Sequence, residues 1–195
     1  MKKFSFFALL MFALLNAANA QTAPAGKKLN WGFKVGLNGS NIRVEDGLNS
    51  DWKTGLATGV FFTIKAGNKF SIQPEFLYSS MGGKNLGSAE ETSLRLNYFS
   101  LPLLAKYQVT NKLSVVAGPQ VDVVINAKTK NNTGFDEVTN NYRENSFNAT
   151  GGIEVWPAKC LGFSARYIYG LNNIAETGVS ELKNQGVQVM LAVKL

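Results

Sequence analysis

Lys112 to Ala127 reads KLSVVAGPQVDVVINA, and its periodicity decides the fold class. Leu113, Val115, Ala117, Pro119, Val121, Val123 and Ile125 alternate with Ser114, Val116, Gly118, Gln120, Asp122, Val124 and Asn126. A period of two is that of a strand with one apolar face. Wound as a helix, the same residues would put Val121, Asp122 and Ile125 on neighbouring faces and leave no clean stripe.

The pattern recurs on both sides of this segment. Upstream, the apolar sets are Trp31, Phe33, Val35 and Leu37; then Val60, Phe62 and Ile64 within Leu56–Ile64; then Phe70, Ile72, Pro74, Phe76 and Tyr78; then Phe99, Leu101, Leu103, Ala105 and Tyr107. Downstream they are Phe147, Ala149, Ile153 and Val155; then Phe163, Ala165, Tyr167 and Tyr169; then Val187, Val189, Leu191, Val193 and Leu195. That predicts eight strands. The intervening segments alternate in length. Ala66–Lys69, Gln108–Asn111 and Pro157–Cys160 are short, with the Gly, Asn and Pro of tight turns. Asn41–Lys53, Met81–Thr92, Lys128–Arg143 and Asn172–Asn184 are long and polar. Short turns at one end and long loops at the other are the layout of an outer-membrane barrel. The prediction is an all-β, eight-stranded, antiparallel up-and-down transmembrane barrel of the OmpA/OmpX-like kind over residues 31–195. Its long loops would lie outside the cell, and its turns and termini in the periplasm. Pro74, Pro102 and Pro119 fall inside these strands and are read as bulges or strand ends.

The first thirty residues read differently. Lys2 and Lys3 precede an apolar run, Phe4–Leu15, that is too short for a membrane helix. Ala18-Asn19-Ala20 follows with the small-x-small pattern of signal peptidase sites. Residues 1–20 are expected to be a signal peptide cleaved at Ala20–Gln21, and 21–30 a periplasmic segment. Localisation in the outer membrane follows.

Which face meets lipid is decided by the charges. Opposite the apolar stripes stand isolated ionic residues of nearly balanced sign: Lys34, Lys106, Arg166 and Lys194 against Glu75, Asp122 and Glu154. A solvated exterior would carry more charge, and a charge facing lipid at mid-bilayer costs roughly 2–4 kcal/mol. These seven residues are therefore read as a charge network inside a narrow lumen, with Glu75 and Lys106 as one candidate pair. Eight strands leave an interior about wide enough for side chains alone, so the expectation is a plugged barrel and not a diffusion pore.

The sequence also argues against other functions. It has no histidine, which removes His metal sites, the Ser-His-Asp triad and the Cys-His pair. No enzyme, cofactor or metal is expected. Asp46, Asp51, Glu90, Glu91, Asp136, Glu137, Glu176 and Glu181 lie in the loop segments without calcium-loop spacing and read as solvated. The single Cys160 has no partner for a disulfide. The net charge of +7 is spread along the chain without Lys/Arg runs, so nucleic acid is not an expected partner. Expected partners are outer-membrane lipid and lipopolysaccharide, the barrel-assembly machinery, and proteins at the extracellular loops. The function expected is structural, adhesive or in envelope and secretion assembly. Two alternatives are a soluble periplasmic lipocalin-like carrier of a small apolar ligand and a lipid-modifying enzyme of the outer membrane.

Asn97-Tyr98-Phe99-Ser100-Leu101-Pro102-Leu103-Leu104-Ala105-Lys106-Tyr107 resembles a strand of the Bacteroidetes outer-membrane β-barrel proteins, the PorT-like family. Gln73-Pro74-Glu75-Phe76-Leu77-Tyr78, Ala117-Gly118-Pro119, Gly151-Gly152-Ile153-Glu154 and Arg166 to Ile174 fall in that family's order. The resemblance implies an eight-stranded outer-membrane barrel and no single activity. A departure is the C-terminal Leu195, where many such barrels end in an aromatic residue.

Overall fold

The computed structural model describes residues 29–44, 50–84, 93–131, 134–137, 143–174 and 182–195. The expected signal peptide and nearly all of the 21–30 segment lie outside the described residues. Among the described residues there are nine strands: β1 (Asn30–Val44), β2 (Lys53–Lys65), β3 (Phe70–Lys84), β4 (Ser93–Gln108), β5 (Leu113–Asn131), β6 (Gly134–Glu137), β7 (Asn145–Val155), β8 (Leu161–Gly170) and β9 (Leu182–Lys194). Eight of them close a ring in which each strand pairs antiparallel with its sequence neighbours, and β1 pairs with β9 from Gly32↔Lys194 to Val44↔Leu182. The short β6 pairs with the end of β5, from Lys128↔Glu137 to Asn131↔Gly134.

The ring stands on three tight turns, closed by bonds such as Ala66 N–H to Phe70 O (3.0 Å) and Val109 N–H to Leu113 O (2.9 Å). The strands run further toward the loops than the hydropathy pattern suggests. Residues 41–44, 81–84 and 128–131, expected to be loop, are strand. The periodicity weakens there because these ends are no longer bounded by lipid outside.

Orientation is read from burial. Val189 is 53% exposed, Leu103 50% and Phe147 52%, while Glu75 is 1% exposed and Arg166 2%. The apolar stripe faces out and the ionic stripe faces in. A soluble lipocalin-like carrier needs the reverse. Exposed aromatic rings gather at both ends of the outer wall. Trp31, Phe33, Phe70, Tyr107 and Phe163 lie toward the turns, and Trp52, Tyr78, Tyr167 and Tyr169 toward the loops. Amphipathic rings favour the headgroup boundary, so these mark two membrane surfaces.

The inner wall is built for close approach. At Gly152 an added Cβ would stand 2.5 Å from Arg166 Cα, so glycine lets that long side chain enter the lumen. Gly82 has φ +144°, a conformation only glycine adopts freely.

The prolines correct one expectation. Pro74, Pro102 and Pro119 lie within β3, β4 and β5 and are not strand ends. The register shift lies elsewhere, where Asn97 faces Asn126 but Tyr98 faces Val124, so Ile125 is the extra residue. Beyond it the inward parity of β5 changes, and Ala127 takes the buried position. Each proline instead lies in a gap of one ladder. The β2–β3 ladder stops at Phe61↔Glu75 and resumes at Ile64↔Ile72; β3–β4 skips from Pro74↔Leu103 to Leu77↔Ser100; β4–β5 skips from Pro102↔Gln120 to Ala105↔Ala117. A residue without N–H cannot complete a rung.

If this outer wall faces acyl chains, Val189→Arg should lower stability by about 2–4 kcal/mol. Urea unfolding of the barrel in lipid vesicles would measure this; an unchanged midpoint would contradict the assigned face.

Candidate functional site: the lumen lattice and the loop rim

Five of the inward charges form one lattice in the half of the lumen nearer the turns. Lys34 on β1 donates to Glu75 Oε1 on β3 (2.7 Å) and to Glu154 Oε1 on β7 (2.5 Å). Arg166 on β8 approaches Glu75 with both terminal nitrogens, Nη1 to Oε2 at 2.9 Å and Nη2 to Oε1 at 3.1 Å. Lys106 on β4 donates to Glu154 Oε2 at 2.6 Å. Gln73 threads the set. Its Nε2 donates to Glu75 Oε1 and Glu154 Oε1, both at 2.8 Å, and its Oε1 accepts from Lys106 at 3.2 Å. A buried carboxylate is tolerable when its lone pairs are occupied by charged donors. Here each has at least three donors.

The expected pairing of Glu75 with Lys106 is absent. Lys106 lies nearer the mouth and takes Glu154, and Gln73 stands between Lys106 and Glu75. Asp122 and Lys194 are also placed outside the lattice. Asp122, fully buried, accepts from Gln120 Nε2 (2.9 Å) and Asn148 Nδ2 (2.8 Å) in a separate amide-lined tier. The Lys194 ammonium sits over the Trp156 ring at 4.8 Å, with the Lys106 ammonium 5.4 Å from the same ring.

Trp156 gives no periodic signal in the sequence because it lies just past β7, outside the alternating run. Its ring rests against Gly162, where an added Cβ would be 2.6 Å away, and stands 6.0 Å from the inward Phe61. The indole thereby caps the turn-side mouth. Toward the loops the lumen fills with Ile42, Met81, Leu94, Leu96, Tyr98, Ala127, Ile168 and Ile174. The Tyr98 hydroxyl accepts from Asn184 Nδ2 at 2.7 Å across this tier. Charge, amide and hydrocarbon thus occupy successive levels.

The loop rim carries the polar recess, lined by Arg143, Glu144, Asn145, Phe147 and Asn172. Asn172 spans two backbones there: its Oδ1 accepts from Phe147 N–H (2.7 Å) and its Nδ2 donates to Asn145 O (3.2 Å). Nearby on the outer wall the Arg43 guanidinium lies over the Tyr169 ring at 4.5 Å, and Lys183 is its cross-strand neighbour. Of the acidic loop residues named from sequence, Asp51 bridges to Lys84 through the backbone, and Asp136 and Glu137 fall on β6. Asp46, Glu90, Glu91, Glu176 and Glu181 lie outside the described residues.

Removing one member of a buried, paired set leaves the others uncompensated, at a cost of about 3–5 kcal/mol. Glu75→Gln is expected to destabilise the barrel by that order. Glu75→Gln combined with Arg166→Gln should recover much of the loss, since one charge of each sign is then gone. Denaturant midpoints of the single and double variants test this.

The chain has the fold of small surface barrels already solved. The attachment invasion locus protein Ail of Yersinia pestis superposes with a TM-score of 0.55 at 12% identity, covering 85% of this chain and 98% of that one. Neisserial surface protein A superposes at 0.59 with 9% identity, covering 87% of this chain and 100% of that one. At such identities the likeness carries the fold alone. No curated protein matches the sequence. Residues 19–176 match the family described as outer membrane protein beta-barrel domain, and the chain belongs to that family of the Gram-negative outer membrane.

Proposed function

We propose that this is a closed surface barrel that works through its loop rim, as an adhesive or envelope- and secretion-assembly element, and not as a channel or an enzyme. The observation that carries this reading is the lumen itself. Its cross-section is spanned from β1 to β3, β4, β7 and β8 by paired charges, with Trp156 beneath them and an apolar tier above. Carboxylates held by three donors are poor general bases, and the chain has no histidine to serve instead.

With the lumen full, the loop rim is the surface left for recognition, as is usual where loops are positioned by a rigid scaffold. In this reading the loops lie outside the cell and the tight turns in the periplasm, with the signal peptide removed at Ala20–Gln21. Arg43, over the Tyr169 ring, and its cross-strand neighbour Lys183 suit the phosphates of lipopolysaccharide. The barrel-assembly machinery would insert the chain. The Leu-Pro-Leu-Leu-Ala-Lys-Tyr segment, Leu101–Tyr107, supports a place in the PorT-like branch of Bacteroidetes barrels. One neighbour, Ail, has been crystallised with the heparin analogue sucrose octasulfate. For this chain, adhesion rests on its own rim.

Purified protein in planar bilayers should show no stable conductance steps; sustained opening would refute the sealed lumen. Orientation has a natural probe in Cys160, exposed in the β7–β8 turn. A membrane-impermeant maleimide should leave Cys160 unmodified on intact cells and label it after the outer membrane is permeabilised. In a Cys160→Ser background, Asp51→Cys at the loop rim should be labelled on intact cells. The opposite pattern would invert the barrel.

A further inference from the structure

Among the described residues, the ionic side chains on the tight turns carry charge of one sign. Lys65 and Lys69 flank the β2–β3 turn, Lys112 ends the β4–β5 turn, Lys159 lies in the β7–β8 turn, and all four are exposed. Residues 65–70, 108–113 and 156–161 contain no Asp or Glu. Among the described acidic residues, Glu75, Asp122 and Glu154 lie in the lumen, and Asp51, Asp136, Glu137 and Glu144 lie at the loop side. The loop rim, by contrast, mixes signs, with Asp51 and Glu144 among Lys84, Arg95 and Arg143.

Exposed cations gathered on one rim raise the local positive potential and attract anions. Two features say which kind. The four lysines come from turns spread around the circumference, so they do not form one patch for a single protein partner. They also stand directly beyond the ring of Trp31, Phe70, Tyr107 and Phe163, which marks the headgroup boundary at that end. Lysine stems lie along apolar surface while the ammonium reaches outward, to the depth of lipid phosphates.

We propose that this collar binds the phosphates of anionic phospholipid headgroups in the adjoining leaflet. In the orientation given above that leaflet is the periplasmic one; the binding itself does not depend on orientation. A lysine near an anionic surface contributes about a fivefold gain in association, and the gain fades with ionic strength.

Native mass spectrometry of the detergent-purified barrel, offered phosphatidylglycerol and phosphatidylcholine in equal amounts, tests this. The wild type should retain phosphatidylglycerol preferentially, and less of it as salt is raised. Each of K65Q, K69Q, K112Q and K159Q should weaken retention about fivefold, and the four together should abolish the preference. A heat-modifiable gel shift confirms that each variant is folded; should the fourfold variant fail to fold, the single substitutions decide. K84Q with R95Q, at the loop rim, should leave the preference intact. Equal retention of both lipids by the wild type, or full retention by the folded variants, overturns the proposal. So does complete displacement of the lipid by millimolar inorganic phosphate, which would mark a free-anion site. Failure here with Cys160 labelled as expected would sink the collar alone and leave the surface-barrel reading standing.

Discussion

In hydrocarbon no water is available to a backbone N–H or C=O, and the rest of this molecule follows from that. An unpaired group costs several kcal/mol, so a sheet must close on itself. Closure with eight strands fixes a bore of side-chain width. Every inward residue then meets its counterpart from the far wall, and an inward charge has no solvent in which to hide. Lys34 therefore reaches across to both β3 and β7, and Glu75 receives Arg166 from β8. The lattice joins strands that share no ladder and resists flattening of the ring, which hydrogen bonds along the wall cannot do.

The same wall serves two solvents. Between the aromatic rings it is inside-out, apolar toward lipid and polar within. Beyond the loop-side ring the outer wall meets water, and the polarity reverses: Ile42, Leu94 and Leu96 turn inward while Arg43, Lys84 and Arg95 turn out. The upper barrel has an ordinary hydrophobic core. Strands of up to 19 residues, longer than the ~9–11 that cross a bilayer, are needed to hold both regimes.

This division explains what was legible in the sequence. Period-two alternation named the outward residues of all eight main strands, because lipid demands an unbroken apolar stripe. It also named the inward charges, since they are the exceptions on the opposite stripe. It missed the strand ends above the membrane, where Ile42 and Leu94 are apolar on the face expected to be polar. It missed the shift at Ile125, which inverts parity for Ala127 without changing composition. The partners were not legible either. Whether Glu75 meets Lys106 or Arg166 depends on shear around the ring, and Gln73, an unremarkable amide by sequence, proves to contact both carboxylates. Trp156 lies outside any strand pattern, so no periodicity announces that it folds under the mouth.

The prolines connect the wall to the lattice. Their gaps run across adjacent ladders, β2–β3, β3–β4 and β4–β5, so one side of the ring has fewer rungs than the other. Two side-chain bonds cross at this level. Thr63 Oγ1 donates to Gln73 Oε1 at 3.2 Å where the β2–β3 ladder is interrupted, and Lys106 Nζ donates to the same oxygen from β4. Gln73 in turn binds Glu154 on the opposite wall. At the β2–β3 gap the lumen thus supplies a cross-link that the backbone lacks. Side chains can do this only in a bore narrow enough for them to touch, so the width of the bore couples the interrupted wall to the charge lattice.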